Sequence, residues 1–501
     1  MNRNSENSTT TPATVAATPT QAGEAPARRE PWWWVERTVW NKAMLTRLGH
    51  NEPANRVWFT LVDKTYHPAN LQSAFDEVWR NGGSAGTDGQ TVAHFERHAE
   101  TELQRLHEQL RGGTYRPQPV RRAWIDKPGS KEKRPLGIPA VRDRIVQAAL
   151  RHVLEPIFET DFAEHSYGFR PGRGAKDALR RVDTLLKAGH VFVVDADLKS
   201  YFDTIPHDRL MALVGERVAD GRVLALVESF LRAGVLEEAQ GWRPTECGTP
   251  QGGVISPLLA NLYLNPLDHQ MAKAGWAMVR YADDFVILCC SEAEAQQALA
   301  EVRTWVSEAG LTLHPEKTRV VDATQPGGFD FLGYHFERGM RWPRKKSLKK
   351  LKERVREKTP RLDGRSLKHI ITDVNRSLRG WYGYFQHSKA NVFATAAAEP
   401  AGKAARPHPA RAGSGASSLA ERMVCAPWAA ESGGRTRVDA DNRRNANPLT
   451  GEPDAGNPPV RFGGRGKVNP LSLPLSRSAR QFQSRPCWQC VLSVVPLMRT
   501  R

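Results

Sequence analysis

Two adjacent aspartates break an otherwise apolar run, Met278-Val279-Arg280-Tyr281-Ala282-Asp283-Asp284-Phe285-Val286-Ile287-Leu288, and nothing else constrains the chain as much. An unpaired carboxylate inside an apolar strand is too costly to keep. The run therefore predicts two strands meeting at a tight turn, which lifts the acids out of the core while the strands hold them rigid. A second short run, Val191-Phe192-Val193-Val194, is β-branched and aromatic and reads as a buried strand. It delivers Asp195 and Asp197, whose spacing puts both on one face. No Lys or Arg adjoins these acids in sequence, so three converging carboxylates would repel one another unless cations sat between them. Two Mg²⁺ ions are the usual solution, one at an attacking oxygen and one at a leaving oxygen. By itself, an Asp-Asp pair is more readily a capped turn.

Charge is spread unevenly. The chain nets +18 over 501 residues, which favours a polyanionic partner such as nucleic acid. Residues 341–389 hold 16 Lys and Arg against 4 Asp and Glu, residues 394–501 hold 16 against 7, and the remainder is slightly acidic. A near-neutral body with a basic appendage suits an enzyme that grips a phosphate backbone beside its chemistry. The bland alternative is a solvated, highly charged helix pair. Six scattered cysteines exclude a disulfide scaffold and fit a reducing cytoplasm. No apolar run reaches membrane-spanning length, and Met1 to Ala25 lacks a hydrophobic signal core.

Patterning predicts helices between about Trp40 and Arg111, with Leu71, Phe75, Val78 and Trp79 on one stripe and breaks at Gly82-Gly83 and Asp88-Gly89. A basic extended segment runs from Tyr115 to Pro139. Helical spacing returns through Ile145-Val146 to Phe158, from Arg209 to Ala233, and from Pro257 to Ala274. A hairpin is expected around Phe329 to Phe336. Strands interleaved with helices, without steady βαβ alternation, give an α+β fold. The cluster Trp32-Trp33-Trp34 reads as a packing anchor.

Tyr281-Ala282-Asp283-Asp284 resembles the active-site hairpin of reverse transcriptases, and further segments match that family in order. Asp197-Leu198-Lys199-Ser200-Tyr201-Phe202-Asp203 resembles its first metal-binding motif, an Asp with an aromatic five positions on, which selects Asp197 over Asp195. The resemblance implies a right-hand polymerase of fingers and palm, catalytic Asp197, Asp283 and Asp284 holding two Mg²⁺, and Phe202 as a steric gate against ribonucleotides. Lys127 to Pro139 resembles the fingers hairpin, which implies triphosphate contacts from Arg134 and Lys127. Arg170, in Ser166-Tyr167-Gly168-Phe169-Arg170, is expected at template or nucleotide. Gln251, in Pro250-Gln251-Gly252-Gly253, is expected at the incoming base and sugar, and Lys317 at the nucleotide. Asp195 and Asp203 read as structural.

The Pro250-Gln251-Gly252 form, Gly86-Thr87-Asp88-Gly89, and Arg379-Gly380-Trp381-Tyr382-Gly383-Tyr384-Phe385 resemble group II intron proteins. That resemblance implies intron RNA as template, a DNA primer or target, dNTP substrates, splicing assistance, and a cytoplasmic ribonucleoprotein setting. The alternatives are an RNA-binding splicing factor with an idle polymerase, or a retron-type enzyme. The expected organisation is a disordered 1–30, an extension over 31–125, fingers and palm over 126–336, a truncated helical thumb or maturase start over 337–393, and a disordered tail over 394–501. Glu452 to Phe462 can be encoded by codons forming a hairpin that resembles group II intron domain V. The tail is accordingly expected to be readthrough of intron RNA sequence. Cys487 and Cys490 lack the second pair that a zinc module needs.

Overall fold

The computed structural model describes residues 32–49, 57–126, 133–237, 240–360 and 364–388. The expectations for residues 1–30, for Lys127 and for the tail 394–501 lie outside these residues. Among the described residues the first elements are the helices α1 (Lys42–Gly49), α2 (Val62–Thr65), α3 (Pro68–Asn81), α4 (Val92–Arg97) and α5 (Ala99–Gly112). Proline in its first turn starts α3, and Leu71, Ala74, Phe75 and Val78 form its buried stripe. Trp79 falls off that stripe and is 50% exposed. Of the tryptophan cluster, Trp32 and Trp34 pack on the main core, while Trp33 stays half-exposed.

The fingers hairpin follows as β1 (Val120–Asp126) and β2 (Lys133–Ile138), then α6 (Val141–Glu159) and α7 (Ala175–Lys187). Helix α6 is buried nearly all round, with Ile145, Val146, Leu150, Val153, Leu154, Ile157 and Phe158 fully buried and Asp143, Arg144 and Gln147 buried as well, so it runs through the core rather than along its surface. A polar seam joins it to α3. Arg151 pairs with Glu77 at 2.7 Å, His152 Nε2 lies 3.1 Å from the same carboxylate, and Asn70 Nδ2 donates to Ala149 O at 3.0 Å. Burial alone would raise the Glu77 carboxyl, but the His152 hydrogen bond and the Arg151 charge outweigh it and hold the group at about 2.

Next in the chain come β3 (Phe192–Asp197), α8 (Tyr201–Thr204), α9 (His207–Gly215), α10 (Gly221–Leu231), β4 (Val235–Glu237), β5 (Gly241–Arg243), α11 (Ser256–Lys273), β6 (Ala277–Tyr281), β7 (Asp284–Cys289), α12 (Glu292–Glu308) and β8 (Arg319–Asp322). The single helix expected over 209–233 is two. Asp220 interrupts it by capping α10 through Arg222 and Val223 N–H, and its other oxygen accepts from Leu61 and Val62 N–H. Strands β4 and β5 extend the fingers sheet in the order β2-β1-β4-β5, and the palm sheet runs β6-β7-β3-β8.

Three short strands close the palm: β9 (Phe329–Phe331), β10 (Tyr334–Glu337) and β11 (Met340–Pro343). The basic helices α13 (Lys345–Lys358) and α14 (Leu367–Phe385) follow. Alternation along β3 divides the interior. Val194 and Ala196 join the large core with α6, α11 and α12, whereas Val193 joins Val286, Leu288, Phe329, Phe331 and Tyr334 on the other face. Helix α14 is pinned to that second core by reciprocal bonds, Tyr334 Oη to Tyr384 O at 2.7 Å and Tyr384 Oη to Leu332 O at 2.8 Å. Among the described residues no helix is long and apolar enough to cross a membrane.

Candidate active site

Antiparallel pairing sets the acids side by side. In the β3–β7 register Asp197 faces Asp284, and Asp195 faces Val286. Asp283 occupies the turn between β6 and β7, next to Ala282 at φ +59°. That left-handed conformation costs a residue with a Cβ about 1–2 kcal/mol, so the surroundings must enforce it. The register therefore brings Asp197 and Asp284 together at one end of the sheet, on the face shared with Val193 and Val286, with Asp283 on the adjoining turn.

Their crowding is visible in their acidity. Burial, and then Asp283, Asp195 and Asp197, push the Asp284 carboxyl well above the usual carboxylate range, with Arg344 pulling the other way. Burial raises Asp195 to about 6 against the pull of Arg319, which pairs with it across the β3–β8 ladder at 3.5 Å. No cation adjoins the acids in sequence, but the fold brings cations to them from distant segments. Arg319 reaches Asp195, and Lys317, expected at the nucleotide, sits with its Nζ 2.5 Å from Asp197 Oδ2. Among the described residues no three His, Cys, Asp or Glu side chains close around a common point as a metal cage. The donor set still suits a hard divalent cation: carboxylate oxygens crowded until one resists ionisation.

The expected gate and base contact are locked together. Phe202, on α8, is partly buried with its ring edge-on to Tyr201, and its carbonyl accepts from Thr249 N at 2.7 Å. Gly248 N donates to Ile205 O at 2.7 Å, at a φ of +84° and with no room for a Cβ against the Asp203 backbone. Gln251 Nε2 donates to Asp203 Oδ2 at 3.2 Å, so its amide is held by a neighbouring carboxylate. The fingers hairpin docks on the same loop through Gly137 N, which donates to Gln251 O at 2.7 Å.

Arg134 lies on β2, paired with Ile125, and faces a cationic surface built from three regions. Burial, and then Arg344, Arg134, Lys317 and Lys350, hold the Lys346 ammonium below the usual lysine range. Fingers, palm and first basic helix thus bring like charges within electrostatic reach of Lys346, a grouping suited to phosphate. Sequence reasoning missed Arg344 and Lys346. Only the clustering of basic residues at the start of α13 hinted at them, since the strand that delivers Arg134 is more than 200 positions away in the chain.

Arg170 requires a correction. Its guanidinium is buried and fully engaged, paired with Glu159 at 2.7 Å and donating to Ala163 O at 2.5 Å and Ser166 O at 2.8 Å. It shapes the 163–170 loop and cannot serve template or nucleotide. That loop backs the β6–β7 turn. Tyr167 N donates to Arg280 O at 2.9 Å, and a Cβ on Gly168 would overlap the Ala282 amide. Arg280, Asp268 and Asn261, also missed, form a buried polar cluster beneath that turn.

Residues 125–336 match the family described as Reverse transcriptase (RNA-dependent DNA polymerase), and residues 348–398 match Group II intron, maturase-specific domain. Protein YkfC of Escherichia coli (strain K12) is 36% identical over 292 residues, which is 50% of this chain and 76% of that protein. Group II intron-encoded protein LtrA of Lactococcus lactis subsp. cremoris is 39% identical over 228 residues, 45% of this chain and 38% of LtrA. Among solved structures, a chain of a partial Cas6-RT-Cas1--Cas2 complex is similar at 29% identity and a TM-score of 0.33, covering 50% of this chain and 41% of its own.

Proposed function

Since the chain belongs to the family of group II intron reverse transcriptases and maturases, we propose that it extends a DNA primer along an intron RNA template at the Asp197–Asp284 end of the palm sheet. The observation that carries this reading is the register: strand pairing sets Asp197 against Asp284, with Asp283 on the adjoining turn, inside the matched polymerase segment.

Asp197, Asp283 and Asp284 would hold two Mg²⁺ ions, which when bound supply positive charge to the attacking and leaving oxygens. The chain's own residues do the rest. A primer 3′-oxygen bonds to the α-phosphorus of a dNTP, the bond to the β-phosphate oxygen breaks, pyrophosphate leaves, and the hydroxyl proton passes to water. Phe202 excludes a ribose 2′-hydroxyl, and Gln251, steadied by Asp203, supports the incoming nucleotide. Arg134 clamps the triphosphate, with Lys127 expected to join it and with Lys346 and Arg344 adding positive charge nearby. Helices α13 and α14 carry the basic surface for template–primer and intron RNA, which together with the matched maturase segment supports a role in splicing.

Primer extension on an RNA template tests this. The wild-type chain should make cDNA with Mg²⁺ and none with EDTA. Asp197→Asn or Asp283→Asn should lower synthesis by roughly 10³-fold while RNA retention on filters changes little. Comparable cDNA from either variant would sink the assignment of these residues. RNA binding and splicing rescue without any cDNA would favour the splicing factor with an idle polymerase.

A further inference from the structure

Ala282 is the pivot of the site. Asp283 and Asp284 follow it directly, so its backbone angles set the direction in which both carboxylates leave the strand. A residue with a Cβ does not hold a φ of +59° unaided. Its carbonyl accepts from Arg280 Nη1 at 2.8 Å, and the same nitrogen donates to Asn261 Oδ1 at 3.0 Å. The rest of the guanidinium is taken by Asp268, with Nε at 2.8 and 3.0 Å and Nη2 at 2.5 Å. Arg280 has no exposed surface. From the other side Asn261 Nδ2 donates to Gly168 O at 2.7 Å, and Gly168 presses on Ala282 with no side chain between them.

We propose that Arg280, oriented by Asp268 and Asn261, is a positioning residue for nucleotidyl transfer: it locks Ala282 in the left-handed conformation and so aims Asp283 and Asp284. The proposal rests on the polymerase reading of the same site. A buried pair that served only to join α11 to β6 would have no reason to donate to Ala282 O, and an apolar pair of equal volume would make that joint as well. The fork of Arg is needed, because one edge must hold a carboxylate while the remaining nitrogen spans two separate acceptors. The single ammonium of lysine cannot do both.

The test compares the full-length chain with Arg280→Lys, Ala282→Gly and the double variant. Three quantities are read: Mn²⁺ binding by electron paramagnetic resonance, kcat and KM in primer extension, and thermal unfolding. Arg280→Lys should lower kcat by about 10–100-fold, as small misplacements of reacting groups do. It should weaken Mn²⁺ binding several-fold and leave KM for template–primer within about twofold, because backbone grip lies elsewhere. Ala282→Gly in the Arg280→Lys background should recover part of the Mn²⁺ affinity and rate without recovering Tm, since glycine takes the left-handed conformation without a clamp. Unchanged Mn²⁺ affinity in folded Arg280→Lys, or recovery of neither property by Ala282→Gly, would overturn the proposal. If Arg280→Lys does not fold, Asn261→Ser, which spares the Arg280–Asp268 pair, carries the same readings. An inactive wild-type chain that binds no Mn²⁺ would defeat the polymerase reading itself; an active wild type with an indifferent Arg280→Lys defeats only this proposal.

Discussion

The palm hairpin β6–β7 and the fingers hairpin β1–β2 both carry charge at or near a turn, yet they are built on opposite principles. The palm strands are buried almost throughout, and their turn is backed by the 163–170 loop and the Arg280 cluster. The fingers strands lose burial along their length until Trp124 and Ile125 are about half exposed. Carboxylates that must share a cation gain from being fixed to within a fraction of an ångström, which packing supplies. Phosphate-binding cations can be placed by the ligand itself, so in the proposed role Arg134 needs only a docked hairpin base, which Gly137 provides against the Gln251 loop.

The largest blow to this contrast short of removing an acid should come from Gly168→Ala. The added Cβ overlaps the Ala282 amide and lies 2.9 Å from the Tyr281 carbonyl carbon, so the palm turn must shift. Steady-state kinetics should show kcat falling by about 10²-fold with little change in KM for dNTP. If KM rises instead, the turn is not what the 163–170 loop controls.

Phe202→Ala probes the joint between the two hairpins, since its backbone is tied to the loop on which the fingers dock. The ratio of rNTP to dNTP incorporation should rise by about tenfold or more, the scale expected when a steric clash of about 1–3 kcal/mol is removed. An unchanged ratio would make Phe202 an ordinary core aromatic.

An effect of similar size, but of a different kind, is expected from Arg134→Ala. Loss of one charged hydrogen bond to phosphate, about 1.5–3 kcal/mol, should raise KM for dNTP by about tenfold or more with kcat within a few-fold. A fall in kcat with KM unchanged would mean that this fingers residue is as closely tied to the chemistry as the palm acids.

Glu77→Gln is a control remote from both hairpins. Its carboxyl stands at about 2 when folded, below its ordinary 4.5, so the stability it contributes is present above pH 4.5 and is lost as pH falls toward 2. The substitution should cost about 1–3 kcal/mol near neutral pH and flatten the acid limb of a Tm profile between those limits, with cDNA synthesis per folded molecule unaltered. An unchanged acid limb would remove the seam between α3 and α6 as a source of stability.

Period and turn chemistry carried much of this protein in the chain itself. The alternation of Val193, Asp195 and Asp197 fixes their shared face, the apolar run around Asp283-Asp284 requires a hairpin, and the apolar spacing of α6 requires a buried helix. These are local properties, set by a residue and its neighbours within a few positions. What only the tertiary structure decided are partnerships across long separations. Arg170 carries the same charge as Arg134 and lies in an equally suggestive motif, yet Glu159 and two carbonyls of its own loop consume it. Lys317 reaches Asp197 from 120 residues away. Arg280 is a charge in an apolar strand, a sign of a buried partner, but nothing local names Asp268 and Asn261 or leads the guanidinium to the Ala282 carbonyl. A side chain's donors and charge are written in the sequence; which acceptor is near enough to take them depends on how distant segments pack, because hydrogen bonds and desolvation act over only a few ångströms.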